Sequence, residues 1–207
     1  MPIVFDNVGG SASTGTALAF NFTAAANTVL LVFTRANASR SVSAIAYGGV
    51  ALTRITQTGF VQEVWGLTAP ASGSNILSAQ WAGAAVSLCM IAVTYLNVAA
   101  VNPWGTPQSN ASTGTVFTLS LSSTTTDLVV VGFGINGVTL TINNATTRLT
   151  AGAASILVVA DAPGAATISI SASAGNSGWR GVGVPLVFSA AAVATGSFTL
   201  NLLGVGL

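Results

Sequence analysis

Short runs of Val, Ile, Leu, Phe and Thr recur along the chain, broken about every ten residues by clusters of Gly, Pro, Asn and Ser, which is the spacing of a sandwich or barrel. The pattern predicts strands at ALAFNF (17–22), TVLLVFT (28–34), VSAIAY (42–47), VALTRI (50–55), VQEVWGL (61–67), NILSAQW (75–81) and VSLCMIAVTYL (86–96). The second half supplies VFTLSL (116–121), DLVVVGFGI (127–135), ASILVVAD (154–161), ATISISA (166–172) and GVGVPLVF (181–188). Alternation in ALAFNF sends Leu18, Phe20 and Phe22 to one face, with Ala17, Ala19 and Asn21 opposite. TVLLVF does not alternate, as expected of a central strand covered on both faces. Ala-rich AAAVA (190–194) is the only segment with any helical leaning.

The pattern repeats. GTALAFNFTAAANTVLLVF from Gly15 aligns without gaps on GTVFTLSLSSTTTDLVVVG from Gly114, and the stretch from Thr68 loosely parallels the one from Asp161. A half-period this long is not a solenoid repeat. We therefore expect an all-β, two-sheet antiparallel β-sandwich with pseudo-duplicated halves, forming one domain over residues 1–188. The halves are about 1–101 and 112–188, joined by a loop at 102–111. Within the first half, Gly48–Gly49 sits between two alternating strands. A glycine loop that cradles phosphate leads into a helix; a two-glycine link between strands is a primed-turn hairpin.

Composition changes the picture by what it removes. Only 4% of residues are charged, against ~25% in ordinary domains, while 51% are hydrophobic. There is no Lys and no His; the cations are Arg35, Arg40, Arg54, Arg148 and Arg180, and the acids are Asp6, Glu63, Asp127 and Asp161. A net charge of +1 offers no basic patch for nucleic acid. Without His or Lys, a serine or the single Cys89 has no ordinary base to activate it, and Cys89, in SLCMIAV, reads as buried filler. We expect no enzymatic activity, no cofactor and no metal site. Asp127 and Asp161 are placed where structural caps and turns belong, and Glu63 is expected on a solvent face. The charge-free stretch 82–101 has the length of a membrane span, but Ser87, Thr94, Tyr95 and Asn97 within it argue against one. MPIVFDNVGG lacks the basic n-region of a signal peptide, so folding in the cytosol is expected. So little charge also makes a poor surface for a free monomer, an early pointer to assembly.

Two contact candidates remain. Trp65, Trp81 and Trp179 lie in or beside strand runs and read as core, whereas Trp104, in NPWGTP, sits in a loop between two prolines and is the best candidate for a ligand or partner contact. Residues 189–207 form an apolar extension in which Phe198, Leu200 and Leu202 alternate with Thr199 and Asn201, a strand pattern suited to pairing with a sheet edge of its own or another subunit.

Several motifs share a family likeness: V-x-x-I-x-Y-G-G-V-A-L-T (42–53), V-W-x-L-x-A-P-x-x-G (64–73), Y-L-N-V (95–98), the Asn-Pro turn at 102–103 and the late Trp179. Over residues 5–188 the chain resembles jelly-roll-like β-sandwich domains of bacteriophage virion proteins, of minor tail or head-decoration type, also seen in bacterial surface proteins. The family usually carries a small residue after the Asn-Pro turn, where this chain has Trp104. The resemblance implies a non-enzymatic structural protein of a virion, a capsid decoration or tail/fibre component assembled in the host cytoplasm. Its partners would be copies of itself and other virion proteins. It carries over no catalytic residue. A carbohydrate-binding or adhesive module, contacting a surface glycan, is the alternative.

Overall fold

The computed structural model describes residues 2–59, 61–175 and 178–189. Among these there are seventeen strands and no helix. The first half builds two sheets. One has five strands in the order β1 (Val4–Gly15), β9 (Val86–Leu96), β3 (Thr28–Ala36), β7 (Gln62–Thr68) and β6 (Thr53–Thr58). The other has four, β2 (Ala17–Ala24), β8 (Gly73–Trp81), β4 (Val42–Tyr47) and β5 (Val50–Ala51).

The second half also forms two sheets. Its five-stranded sheet runs β10 (Gln108–Ser112), β17 (Trp179–Leu186), β12 (Leu128–Asn136), β15 (Ser155–Pro163), β14 (Thr146–Ala151). A three-stranded sheet contains β11 (Val116–Leu121), β16 (Ile168–Ala174) and β13 (Leu140–Asn143). Every pairing between strands is antiparallel.

The all-β antiparallel expectation holds, but there are four packed sheets where two were expected. The reason lies in the continuous apolar strands. In β3, Leu30 and Val32 face Leu18, Phe22 and Leu77 of the four-stranded sheet. Leu31 and Phe33 point the other way, into a core shared with Val130, Leu157, Val159, Val182 and Val184 of the second half. In β12, Val129, Val131 and Phe133 turn outward again to Phe117, Leu119 and Ile170. A strand buried on both faces needs a layer on each side, and two such strands in different sheets need four layers. The five-stranded sheets are the inner pair and pack back to back.

Several turns follow from local chemistry. Gly48 (φ 56°) and Gly49 (φ 82°) close a two-residue hairpin between the paired Tyr47 and Val50. Two successive left-handed residues are the primed-turn geometry that glycine supplies without strain. The stretch read as one strand at 50–55 instead divides: β5 stays with the outer sheet, buried Leu52 marks the crossing, and β6 joins the inner sheet. Sequence reading also missed β1, β10, β13 and β14. Their residues are largely polar or small, and backbone pairing to stronger neighbours holds them in place.

The stack has two distinct ends. Ala36, Asn136, Gln62 and Trp179 mark one, which we call the Arg35 end; Thr28, Leu96, Leu128 and Leu186 mark the other, the Asp127 end. Near the Arg35 end the inner sheets approach closely at glycine. A Cβ on Gly132 would lie 2.4 Å from Cδ1 of Phe33. Gly132→Ala should therefore lower stability by about 1–3 kcal/mol through overpacking, whereas Gly175→Ala, with nothing within 4 Å, should be near neutral. Urea unfolding midpoints of the two variants decide this; equal midpoints would show that the sheets do not touch there.

Candidate functional site

Three of the nine charged residues, Arg35, Glu63 and Asp161, are buried, and β-bulges aim two others. In β14 the register skips between Thr147 and Leu149, so Arg148 is the extra residue. A bulge re-aims its side chain, and Arg148 closes a two-pronged ion pair on Asp161 of β15: Nε donates to Oδ2 at 2.7 Å and Nη2 to Oδ1 at 2.9 Å. The hydroxyl of Tyr95, from β9 in the other inner sheet, donates to the same Oδ2 at 2.7 Å. The guanidinium lies 4.2 Å from the centroid of the Phe5 ring, which meets Tyr95 edge-on. Burial, then the adjoining carboxylate, pushes the Tyr95 phenol well above its ordinary value. Tyr95 is sealed and Asp161 almost so, so this cluster clamps the inner sheets together and is closed to a substrate.

Asp6 is likewise the extra residue of a bulge in β1, and its carboxylate accepts from the Ala25 amide and the Thr94 hydroxyl. Glu63 overturns the expectation of a solvent face, being 1% exposed. The strand that carries it is covered on both sides, and its carboxylate accepts from the Val42 amide and the Trp65 indole, with Arg54 at 3.6 Å. Burial raises its carboxyl, against the pull of those donors. At the Arg35 end, Arg35 is buried between the inner sheets with Nη2 donating to Asn136 Oδ1 at 2.9 Å. Burial first, then the like charge of Arg180, lowers its guanidinium to about 10. Gln62 bridges the same sheets by donating to the Gly132 carbonyl at 2.6 Å.

The residues singled out by sequence are placed as follows. Trp65, Trp81 and Trp179 are core. Cys89 has no exposure, and burial pushes its thiol up to about 12. Trp104 is half-buried: its backbone bridges to Leu186, and its ring lies against Gly66 of β7, where an added Cβ would come within 2.6 Å of it. It thus packs where the two halves meet. Phe198, Leu200 and Leu202 lie outside the described residues. The stretch 82–101, considered as a membrane span, contains β9, and no helix among the described residues is long and apolar enough to cross a membrane. Among those residues no three His, Cys, Asp or Glu side chains group as metal ligands would.

Among the described residues an apolar recess of about 420 Å³ lies open at the Asp127 end. Pro2, Ile3, Leu128, Pro163 and Phe188 form its walls, with Asp127 at the rim. Asp127 organises this end. Its Oδ2 accepts from the Thr124 amide at 2.8 Å, closing a turn, and its Oδ1 accepts from the Phe188 amide at 3.0 Å. Burial works to raise the Asp127 carboxyl, but the Phe188 and Thr124 amides outweigh it and hold the group below its ordinary 3.8. The turn role of Asp127 was readable; its grip on Phe188, 61 residues away in sequence, was not.

Comparison with protein-family models, with curated proteins and with solved structures finds no match.

Two predictions follow from these groups. Tyr95→Phe should lower stability by about 1.5–3 kcal/mol, the range for a hydrogen bond to a charged group, and Asp161→Ala by more, since it strands both donors. Chemical denaturation of the two variants tests the order; a neutral Tyr95→Phe would remove the clamp from consideration. A depressed carboxyl stabilises the fold above its unfolded value and loses that contribution as pH falls through the native one. The Phe188 amide should therefore lose exchange protection as acid takes the solution below 3.8, and Asp127→Asn should flatten that dependence. An unchanged acid profile in Asp127→Asn would show that another group controls it.

Proposed function

We propose that this chain is a non-enzymatic structural subunit of a virion, a capsid decoration or tail/fibre component, that works by assembling with copies of itself and with other virion proteins. The observation that carries this reading is the open apolar recess at the Asp127 end, whose wall includes Phe188, two residues before the uncharged stretch 190–207 begins. An apolar recess beside a segment with an apolar strand pattern suits a contact in which an extended segment docks. The motifs at 42–53 and 64–73 supply the virion setting, and the four-layer body suits a load-bearing part.

Supporting considerations come from the charges. The carboxylates of Asp6, Glu63, Asp127 and Asp161 are each engaged by donors within the fold, which favours a scaffold over a reacting centre. The matching strand order of the two five-stranded sheets supports reading the halves as pseudo-duplicated. The jelly-roll likeness and assembly in a host cytoplasm rest on the resemblance.

Absolute mass by light scattering tests the reading. The full chain should form a defined oligomer, and a chain ending at Ser189 should be a well-behaved monomer. If both are stable monomers, assembly through this segment is wrong, and a glycan array on the full chain becomes the next measurement.

A further inference from the structure

Where the described chain ends sets a direction. β17 runs toward the Asp127 end, and residues 187–189 carry it past the sheet, held to the segment after β9. Val98 and Phe188 form an antiparallel bridge, the Ala99 amide donates to the Val187 carbonyl at 2.8 Å, and the Ser189 amide donates to the Asn97 carbonyl at 3.0 Å. Asn97 in turn donates to the carbonyl of Pro2, a wall of the recess. Ser189 therefore follows directly on Phe188, a wall of the recess, at the Asp127 end of the stack.

From the geometry we infer that the recess seats the segment Phe198–Leu202 of a second copy, exchanged reciprocally between two copies that meet by their Asp127 ends. This rests on the assembly reading and names its receiving site. Three observations carry it. The recess lies within the size range, roughly 300–1,000 Å³, of sites that bury small ligands, and its lining, Thr125, Thr126 and Asp127 apart, is apolar, as Phe198, Leu200 and Leu202 are. The nine residue-to-residue steps from Ser189 to Phe198 can span about 30 Å when extended, enough to cross an end-to-end contact. The 97–99 ladder points the chain at Ser189 along β17, away from its own copy, which favours a seat in a second one. Donation along that heading meets an identical recess only if the partner is turned end for end, which gives a closed two-fold pair and not an open filament.

Cysteine trapping in the full chain tests this without disturbing the core. Thr125 lies in the recess lining and is exposed, so Thr125→Cys and Leu200→Cys place one thiol at the seat and one on the segment. Native Cys89 is sealed and will not compete. After mild oxidation, a mixture of the two single variants should give a disulfide-linked dimer pairing one of each, at least ten-fold above that from Leu200→Cys alone. The double variant should run as a dimer on a non-reducing gel. A double variant that closes its disulfide within one chain would overturn the exchange and assign the seat to the chain's own segment. No disulfide in either experiment would remove the recess as the seat. Light scattering on the same samples separates the two levels: an oligomer without cross-links leaves the assembly reading standing and defeats this one, whereas a monomer throughout defeats both.

Discussion

The constraint on which the structure depends is that β3 and β12 are apolar on both faces. An ordinary sandwich strand hides one face and wets the other. Here Leu30 and Val32 need one cover and Leu31 and Phe33 another, while Val129 and Val131 oppose Val130 in the same way. The four-layer stack satisfies all of these demands at once. It places the innermost core between the two halves of the chain, so Ile91 and Val93 are buried by residues such as Val159 and Val184, contributed much later in the sequence.

Within such an interior, each charge must be paired or bonded, and the fold meets this with few residues. Bulges in β1 and β14 put Asp6 and Arg148 where regular register would not. Asp161 then receives both Arg148 and Tyr95, joining edge strand, inner sheet and opposing sheet in one cluster. Toward the other end, Arg35 and Gln62 reach across to Asn136 and Gly132. The inner interface is therefore apolar in the middle and tied by polar groups toward both ends, which fixes how the halves sit upon each other more sharply than greasy contact alone would.

Much of this was legible in the sequence, for identifiable reasons. Period-two alternation located β2, β4, β8, β11 and β16, and uninterrupted Val/Leu runs located β3 and β12, because side-chain burial speaks directly through hydropathy. Gly48–Gly49 was legible because only glycine enters that turn freely. What escaped were features decided by pairing: β1 and β14 carry Gly, Ser and Thr and become strands because β9 and β15 need neighbours. The count of layers was implicit in the two-sided burial of 28–34, yet a two-sheet picture could not accommodate it. Glu63 looked solvent-facing because polarity is a poor guide where a buried carboxylate finds several donors. The recess was invisible, since Pro2, Leu128, Pro163 and Phe188 meet only in three dimensions.

The shared inner core also bears on how the protein is made. Once β1 to β9 have left the ribosome, the face bearing Leu31, Phe33, Ile91 and Val93 has nothing to cover it until β17 follows. At ~5–20 residues per second, that interval lasts roughly 5–20 s. For that time a nascent chain presents a broad, sticky sheet to every neighbour on the same message. A slow codon cluster in the stretch encoding 97–186 would prolong the danger. Yield in a foreign host should thus follow the pace of translation through the second half more closely than the stability of the finished fold.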